Sequence, residues 1–383
     1  MVSRYTIHIP EERLGTIAAK VKAYEWGELP DAGGWNSGVG IDDLKRLVSY
    51  WERSFDWRQV ERRLNQLPHF TIDIEGERIH FLHVRGSPNG SDAKPPILLL
   101  HGWPGTFLEF ERLWDPLAAD GHDVIVPSLP GFAFSTPITG IIGPRRAAEL
   151  MHGLMVQLFG RSRYIVQGGD WGHGIAGWMA YNQPEALLGL HINMVNLLAE
   201  DATPTSADER TFVARRDAIF ERESGYSHEQ ETRPQTLGIA MADSPVGVAA
   251  WILEKFGKWA DLPTSADGSP DIWSKFSEEQ LLTNIMLYVA TSSVATATWM
   301  YHGKRLEGSQ AFPAGTRIRV PTGVAAFPDP VFPPPPRSLA AKTYRIVHWS
   351  EMSSGGHFAA MERPDAMLAD LRAFVSTVTE NHR

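Results

Sequence analysis

The stretch from Tyr164 to Gly172 reads Tyr-Ile-Val-Gln-Gly-Gly-Asp-Trp-Gly and contains a carboxylate that could act as a nucleophile. A strand pattern runs into a small-x-Asp-x-small segment, and a helical pattern follows. This order is typical of the nucleophile elbow, a tight strand-to-helix turn that exposes its central side chain, here Asp170. A carboxylate nucleophile forms an ester, which suits attack on a carbon that bears a leaving oxygen or halide.

Two other interpretations of this stretch are open. Asp170 could simply cap a helix after a glycine-rich turn. The overlapping run Gly172-His-Gly-Ile-Ala-Gly177 also matches G-x-G-x-x-G, the glycine pattern of dinucleotide-binding folds. That pattern requires an acidic residue about 20 positions later, and residues 190–196 contain none. The elbow is therefore the interpretation that we develop.

An elbow needs donors for an oxyanion, and the segment His101-Gly-Trp-Pro-Gly105 stands where one is expected. It directly follows the apolar run Ile97–Leu100. In folds with this elbow, such a loop supplies one backbone N–H and the residue after the nucleophile supplies the other. We predict that these donors are the N–H groups of Trp103 and Trp171.

His357 has the position of a catalytic histidine. It lies in Ser353-Ser-Gly-Gly-His-Phe358, after the last strand pattern and before the last helical one. The chain has 14 histidines, and only position singles out this one. The order nucleophile, acid, histidine is the one expected for this kind of site.

The elements that must position these residues alternate between strands and helices. Phe70–Glu75 and Arg78–Val84 alternate in polarity about Gly76 and predict a hairpin. Helical patterns such as Arg146–Phe159 separate several later strand patterns, which favours an α/β fold with a mostly parallel central sheet. The later predicted strands are Ile97–Leu100, Val124–Pro127, Tyr164–Gln167, Leu190–Met194, Arg317–Val320 and Tyr344–His348.

We predict four segments along the chain. The first is rich in tryptophan, with Leu44, Leu47, Val48 and Trp51 at helical spacing. The third is helical, without a convincing strand, and interrupts the alternation. The segments are an N-terminal helical meander at 1–69, the first part of the core at 70–196, a helical lid at 197–303 and the second part of the core at 304–383.

Composition narrows the classes of partner. The 383 residues carry a net charge of −9 without a basic stripe, which argues against nucleic acid and anionic membranes. No cysteine is present, so disulfides and thiolate metal sites are excluded, and we expect no metal and no cofactor.

No apolar run approaches the roughly 18 residues of a membrane span. We expect a cytoplasmic protein without a membrane anchor and consider a homodimer. Asn89-Gly-Ser91 matches a glycosylation acceptor that matters only in a secreted chain.

Taken together, these segments resemble the epoxide hydrolases of the microsomal type, and the resemblance covers essentially the whole chain. It implies an α/β-hydrolase core, an N-terminal helical meander and a helical lid. The stretches that carry it are His101–Gly105, Gly168–Gly172, Gly355–Phe358, Phe55–Trp57 through Leu82–Val84, and Arg233-Pro234 with Asp243–Gly247.

The resemblance also implies two lid tyrosines that hold the epoxide oxygen and supply its proton. Tyr226 matches the first, before the Arg233-Pro234 turn. Tyr301 is the better match for the second, with Tyr288 as the nearby alternative.

At the acid that should orient His357, the sequence departs from the family. The family carries a carboxylate after a Val-Pro-Thr-Gly…Phe-Pro pattern, present here as Val320–Gly323 and Phe327-Pro328. The expected position holds Pro330, and a carboxylate, Asp329, stands one residue earlier. We predict that Asp329 takes this role, although another carboxylate could.

The predicted function is hydrolysis of an apolar, small-molecule epoxide to a vicinal diol. Asp170 would form a hydroxyalkyl ester, and water activated by His357 would hydrolyse it. A haloalkane or haloacid dehalogenase shares this Asp–His chemistry and could use Trp103 and Trp171 as halide donors. A non-catalytic small-molecule receptor on the same fold is the third alternative.

Overall fold

The computed structural model describes residues 1–27, 33–87 and 94–380. The predicted glycosylation acceptor at residues 89–91 lies outside them. Within these ranges nine strands form one sheet, in the order β1-β2-β3-β5-β4-β6-β7-β8-β9. The strands are β1 Ser3–Arg4, β2 His69–Ile74, β3 Glu77–Val84, β4 Ile97–Leu100, β5 Val124–Pro127, β6 Tyr164–Gly168, β7 Leu187–Ile192, β8 Ile318–Ala326 and β9 Tyr344–Glu351.

The sheet is antiparallel at one side and parallel over the rest. Strands β1 to β3 pair antiparallel, and β3 pairs antiparallel with β5. From β5 through β4 and β6 to β9 every pairing is parallel. The parallel strands β4 and β5 are buried along their whole length, as expected for strands that helices cover on both faces.

Helices of the core connect the later strands, and the helices of the N-terminal region lie between β1 and β2. Their helical faces follow the apolar spacing of the sequence: Leu44, Leu47, Val48 and Trp51 are all buried in α2. The helices up to β7 are α1 Glu11–Lys22, α2 Ile41–Arg53, α3 Trp57–Leu64, α4 Trp114–Ala119, α5 Pro144–Phe159 and α6 Trp171–Asn182.

The first ten residues differ from the helical prediction for residues 1–69. Ser3 and Arg4 pair with Thr71 and Phe70, so the chain starts as an edge strand. The backbone N–H of Ile7 then donates to the Asn65 side chain at 2.8 Å. These residues lack the apolar spacing of an amphipathic helix, and they hydrogen-bond to residues about 60 positions later in the chain.

Between β7 and β8 the described chain is helical. These helices are α7 Ala207–Glu223, α8 Gly225–Thr232, α9 Pro234–Asp243, α10 Pro245–Trp259, α11 Glu278–Ala290, α12 Val294–Ala297 and α13 Trp299–Glu307. After them come α14 Arg337–Ala340, α15 Ala359–Glu362 and α16 Pro364–Glu380. The predicted boundary at 303/304 falls inside α13, and the division into four segments remains a proposal.

Among the described residues, no single helix combines the length and the apolar character needed to cross a membrane. Two sharply bent helix pairs, α9 with α10 and α11 with α12–α13, meet those criteria by length and composition only.

Candidate active site

The four segments of the core that were singled out for chemistry follow the carboxyl ends of parallel strands. The loop with Trp103 follows β4, Asp170 follows β6, Asp329 follows β8 and His357 follows β9. Carboxyl ends of parallel strands meet at one edge of a sheet, which is where such folds bind their ligands. The topology therefore brings together residues that are up to 254 positions apart in the chain, from 103 to 357.

Asp170 occupies a strained turn between β6 and α6. Its backbone has φ 44° and ψ −126°, a region that non-glycine residues rarely adopt and that recurs at functional sites. A Cβ at Gly172 would lie 1.9 Å from the carbonyl oxygen of Leu100, and one at Gly168 would lie 2.3 Å from the backbone of Gly172. The turn therefore requires small residues on both sides of the aspartate.

The two carboxylate oxygens of Asp170 have different partners. Oδ1 accepts the backbone N–H of Trp103 at 2.7 Å. Oδ2 lies 3.2 Å from Nε2 of His357. Trp171, whose N–H was predicted as the second oxyanion donor, is the first residue of α6. One predicted donor therefore already contacts the carboxylate.

His101 holds the loop that carries Trp103. Its Nδ1 donates to the carbonyl oxygen of Gly102 at 2.9 Å, and its Nε2 accepts the N–H of Leu129 at 3.2 Å. Burial lowers the pKa of His101 to about 4, so the ring is neutral and can both donate and accept.

On its other side, His357 contacts Asp329. Nδ1 of His357 lies 2.8 Å from Oδ2 of Asp329, while Oδ1 of Asp329 accepts the backbone N–H groups of Val331 and Phe332, each at 2.8 Å. Asp329 is buried and Pro330 is exposed. The carboxylate one residue before the family's position therefore lies within hydrogen-bond reach of the imidazole.

The charge of His357 depends on this double contact. Burial alone would lower its pKa, but the carboxylates of Asp329 and Asp170 outweigh burial and raise the pKa to about 10. Near neutral pH the ring is thus an imidazolium between two carboxylates, as long as both remain ionised.

Tyr226 and Tyr301 face each other from α8 and α13. Their side chains hydrogen-bond to one another, and their rings stand edge to face with centroids 5.9 Å apart. Burial, together with the charge of Asp170, raises the pKa of both phenols well above the ordinary value. Tyr288, the alternative to Tyr301, instead donates its hydroxyl to the carbonyl oxygen of Gly105 at 2.6 Å.

A cavity of about 240 Å³ borders the nucleophile and the phenols. Its wall includes four of the seven predicted residues: Asp170, Trp171, Tyr226 and Tyr301. The other three stand behind the wall: Trp103 stacks on Tyr226 with centroids 5.4 Å apart, His357 contacts Asp170, and Asp329 contacts His357.

Several residues of this region were not identified from the sequence. His173, one helical turn after Asp170, lines the cavity and hydrogen-bonds through Nδ1 to the carbonyl oxygen of Asp170. Trp259 packs against the ring of His357 with centroids 4.7 Å apart. Glu109, four residues after Gly105, has its pKa raised to about 8 by burial, which the charge of His357 opposes. Only His173 carried a signal in the sequence, its spacing of three from the nucleophile.

Comparisons with known proteins agree on one family. Residues 2–110 match the family model described as epoxide hydrolase N terminus, and residues 95–235 match that described as alpha/beta hydrolase fold. Epoxide hydrolase 1 of Sus scrofa is 35% identical over 98% of this chain and 89% of the relative.

Two solved structures are similar over almost the whole chain. The epoxide hydrolase of Aspergillus niger has a TM-score of 0.84 and 31% identity, covering 99% of this chain and 97% of that one. The juvenile hormone epoxide hydrolase of the silkworm Bombyx mori has a TM-score of 0.88 and 27% identity, covering 100% and 96%. The predicted α/β-hydrolase fold is thereby confirmed, and the chain is a hydrolase that belongs to the epoxide hydrolase family.

Proposed function

We propose that the protein hydrolyses an apolar epoxide to a vicinal diol in two steps, with Asp170 as nucleophile and His357 as base. Membership of the epoxide hydrolase family supports the overall reaction. One observation carries the mechanism. The Asp170 carboxylate contacts the Trp103 N–H at 2.7 Å and His357 Nε2 at 3.2 Å, and the Tyr226 and Tyr301 phenols share its cavity.

In the first step, Oδ2 of Asp170 attacks a ring carbon of the epoxide. A carbon–oxygen bond forms, the strained ring bond breaks, and its electron pair moves to the ring oxygen. Tyr226 and Tyr301 hydrogen-bond that oxygen, and one phenol transfers its proton to it. Because their raised pKa values keep both phenols protonated, both can donate. Oδ1, already bound to the Trp103 N–H, becomes the carbonyl oxygen of the ester.

Once Asp170 is a neutral ester, the imidazolium of His357 releases its proton, and the phenolate left by the first step regains one. In the second step, the neutral ring takes a proton from water, and the resulting hydroxide attacks the ester carbonyl carbon of Asp170. The N–H groups of Trp103 and Trp171 stabilise the oxyanion, and one such donor typically contributes about 3 kcal/mol. The imidazolium then protonates the departing alkoxide, which completes the diol. The second water proton stays on the released carboxyl group and passes to His357, so Asp170 is again a carboxylate, His357 an imidazolium, and the enzyme returns to its starting state.

The dehalogenase alternative has one specific observation in its favour. The indole nitrogen of Trp171 is buried and, among the described residues, has no hydrogen-bond partner, so its N–H could bind a halide. Against it stand the two phenols, which a halide leaving group does not need. A receptor that has lost turnover would not need the contacts of His357 with both Asp170 and Asp329.

Assays of diol release from styrene oxide and of halide release from 1-chlorobutane separate these alternatives. We expect diol and no halide from the wild type, and neither from Asp170→Ala. Asp115→Ala, which removes an exposed carboxylate, serves as the matched control and should keep full activity. Diol formation by Asp170→Ala would rule out the covalent ester.

His357→Gln tests the second step. This variant should still form the ester but not hydrolyse it, so intact-mass measurement should detect protein plus one epoxide. An unmodified mass with continued turnover would contradict the role of His357 as base.

We also propose the cytoplasmic location that we expected from the sequence and the homodimer that we considered there. Cell fractionation tests the first and light scattering the second.

A further inference from the structure

Helix α10 carries a lysine on its buried face. Lys255 is only 6% exposed, although lysine is rarely buried without a partner. Its ammonium group forms an ion pair with the neighbouring Glu254 carboxylate, whose side chain is 18% exposed. No step proposed above uses this buried cation.

The ammonium group of Lys255 lies against three aromatic rings. Its Nζ is 4.3 Å from the ring centroid of Tyr226 and 5.7 Å from the centroids of both Trp251 and Trp259. A cation within about 6 Å of a ring face is attracted to it, more strongly when desolvated. The nearest ring belongs to one of the two proposed proton donors.

A positive charge over a phenol ring affects phenol and phenolate unequally. The phenol interacts with the cation through its ring quadrupole, whereas the phenolate also carries a full negative charge spread over the oxygen and the ring. The phenolate is therefore stabilised more, and proton transfer from the hydroxyl becomes easier.

We propose that Lys255 is a positioning residue for the first step: it stabilises the phenolate that forms on Tyr226 when the opened epoxide takes its proton. This inference rests on the proposed function, because it needs Tyr226 as a proton donor. No further reactant is required. The proton moves from Tyr226 to the ring oxygen, and the charge left behind lies next to the ammonium group.

Most of the groups around Tyr226 oppose the loss of its proton. Burial and the charge of Asp170 raise the pKa of Tyr226, Asp329 and Glu254 raise it further, and the hydrogen bond from Tyr301 lowers it. Most of these influences make the phenol a poorer acid. The ammonium group at 4.3 Å opposes them.

The test measures the two half-reactions of Lys255→Met in single-turnover experiments with styrene oxide. We expect ester formation to slow about tenfold, in the range for a desolvated cation over an aromatic ring, and ester hydrolysis to keep its rate. Lys255→Arg keeps a cation and should restore most of the ester-forming rate. Lys258→Met, which removes a lysine from the same helix, is the matched control.

The second arm repeats Lys255→Met in a Tyr226→Phe background. If the lysine acts through the Tyr226 hydroxyl, the substitution should cause no further slowing there. Equal slowing in both backgrounds would mean that Lys255 only supports the packing of α10, and would overturn the proposal. Should Lys255→Met not fold, judged by circular dichroism, Lys255→Gln replaces it, since an amide can still donate to Glu254.

Failure of this inference can be distinguished from failure of the proposed function. If Tyr226→Phe forms the ester at the wild-type rate, Tyr226 is not a proton donor and both fail. If Tyr226→Phe slows ester formation and Lys255→Met does not, only the role of Lys255 is lost.

Discussion

The imidazole of His357 lies between two carboxylates, and only one of them keeps its charge throughout the proposed reaction. Asp329 stays ionised, whereas Asp170 becomes a neutral ester. The pKa of about 10 therefore belongs to the resting enzyme. Loss of the Asp170 charge removes part of the stabilisation of the imidazolium. The ring becomes easier to deprotonate at the stage when a base is needed.

Asp170→Ala imitates this loss of charge. We expect the pKa of His357 to fall below about 10 in this variant, because a negative charge that favours the protonated ring has been removed. NMR titration of the imidazole Cε1–H signal, assigned with His357→Gln, measures the shift. An unchanged pKa would mean that Asp329 alone determines the ionisation of the ring.

At the scale of single residues, the sequence predicted candidates from local spacing, and the structure brings them together. Asp170 and His357 were predicted because an elbow and a loop after the last strand are local patterns. Lys255 and Trp259 were not predicted, because the contact of Lys255 with Tyr226 exists only once α10 packs near α8, and that of Trp259 with His357 only once α10 packs on the core. Burial of a lysine is a tertiary property that spacing along one helix does not reveal.

At the scale of elements, two glycines in the first turn of α6, Gly172 and Gly174, differ in the space around them. Gly172→Ala should strongly destabilise the fold or prevent folding, since its Cβ would lie 1.9 Å from the Leu100 carbonyl oxygen. Gly174→Ala is a control in the same helix, where a Cβ meets nothing within 4 Å. It should raise the free energy of unfolding by roughly 0.5–1 kcal/mol. Urea denaturation compares them, and similar stabilities would contradict the close approach of α6 to β4.

The loop after β8 holds the Asp329 carboxylate in place through two backbone N–H groups. In Asp329→Asn, Oδ1 can still accept the N–H groups of Val331 and Phe332, so the loop should persist. The amide NH₂ would then face Nδ1 of His357 and favour the tautomer protonated at Nε2, which cannot accept a proton from water. We expect ester hydrolysis to slow by about 10²- to 10⁴-fold, with less complete ester accumulation than in His357→Gln. Hydrolysis at the normal rate would mean that the acid lies elsewhere.

Strands were predicted well where apolar runs end in turns and less well where proline interrupts them. Ile97–Leu100 and Val124–Pro127 have the predicted bounds. Strand β8 was predicted to end at Val320, yet it continues to Ala326. Pro321 lacks a backbone donor, and the register shift between Ile318 and Pro321 accommodates it within the pairing with β9.

At the scale of the whole molecule, the N-terminal region contacts the helical insertion as well as the sheet. Trp35 packs so tightly on α10 that a Cβ at Gly257 would lie 2.3 Å from its ring. Arg46 of α2 forms an ion pair with Glu278 of α11 at 2.7 Å. The sequence predicted the tryptophan-rich helices but not their partners, because these contacts join residues more than 200 positions apart.

Asp43 is the residue through which this contact can be tested. Its Oδ2 accepts the indole N–H of Trp35 at 2.9 Å and its Oδ1 that of Trp273 at 2.6 Å, so one carboxylate joins the N-terminal region to the insertion. Asp43→Asn leaves a single acceptor oxygen and turns an amide donor toward the other indole. We expect the free energy of unfolding to fall by about 1–3 kcal/mol, the cost of a buried donor without a partner. Asp42→Asn, at the exposed neighbouring position, should change it by less than about 0.5 kcal/mol. Equal losses in the two variants, measured by urea denaturation, would show that the effect comes from lost charge on α2 and not from the two indoles.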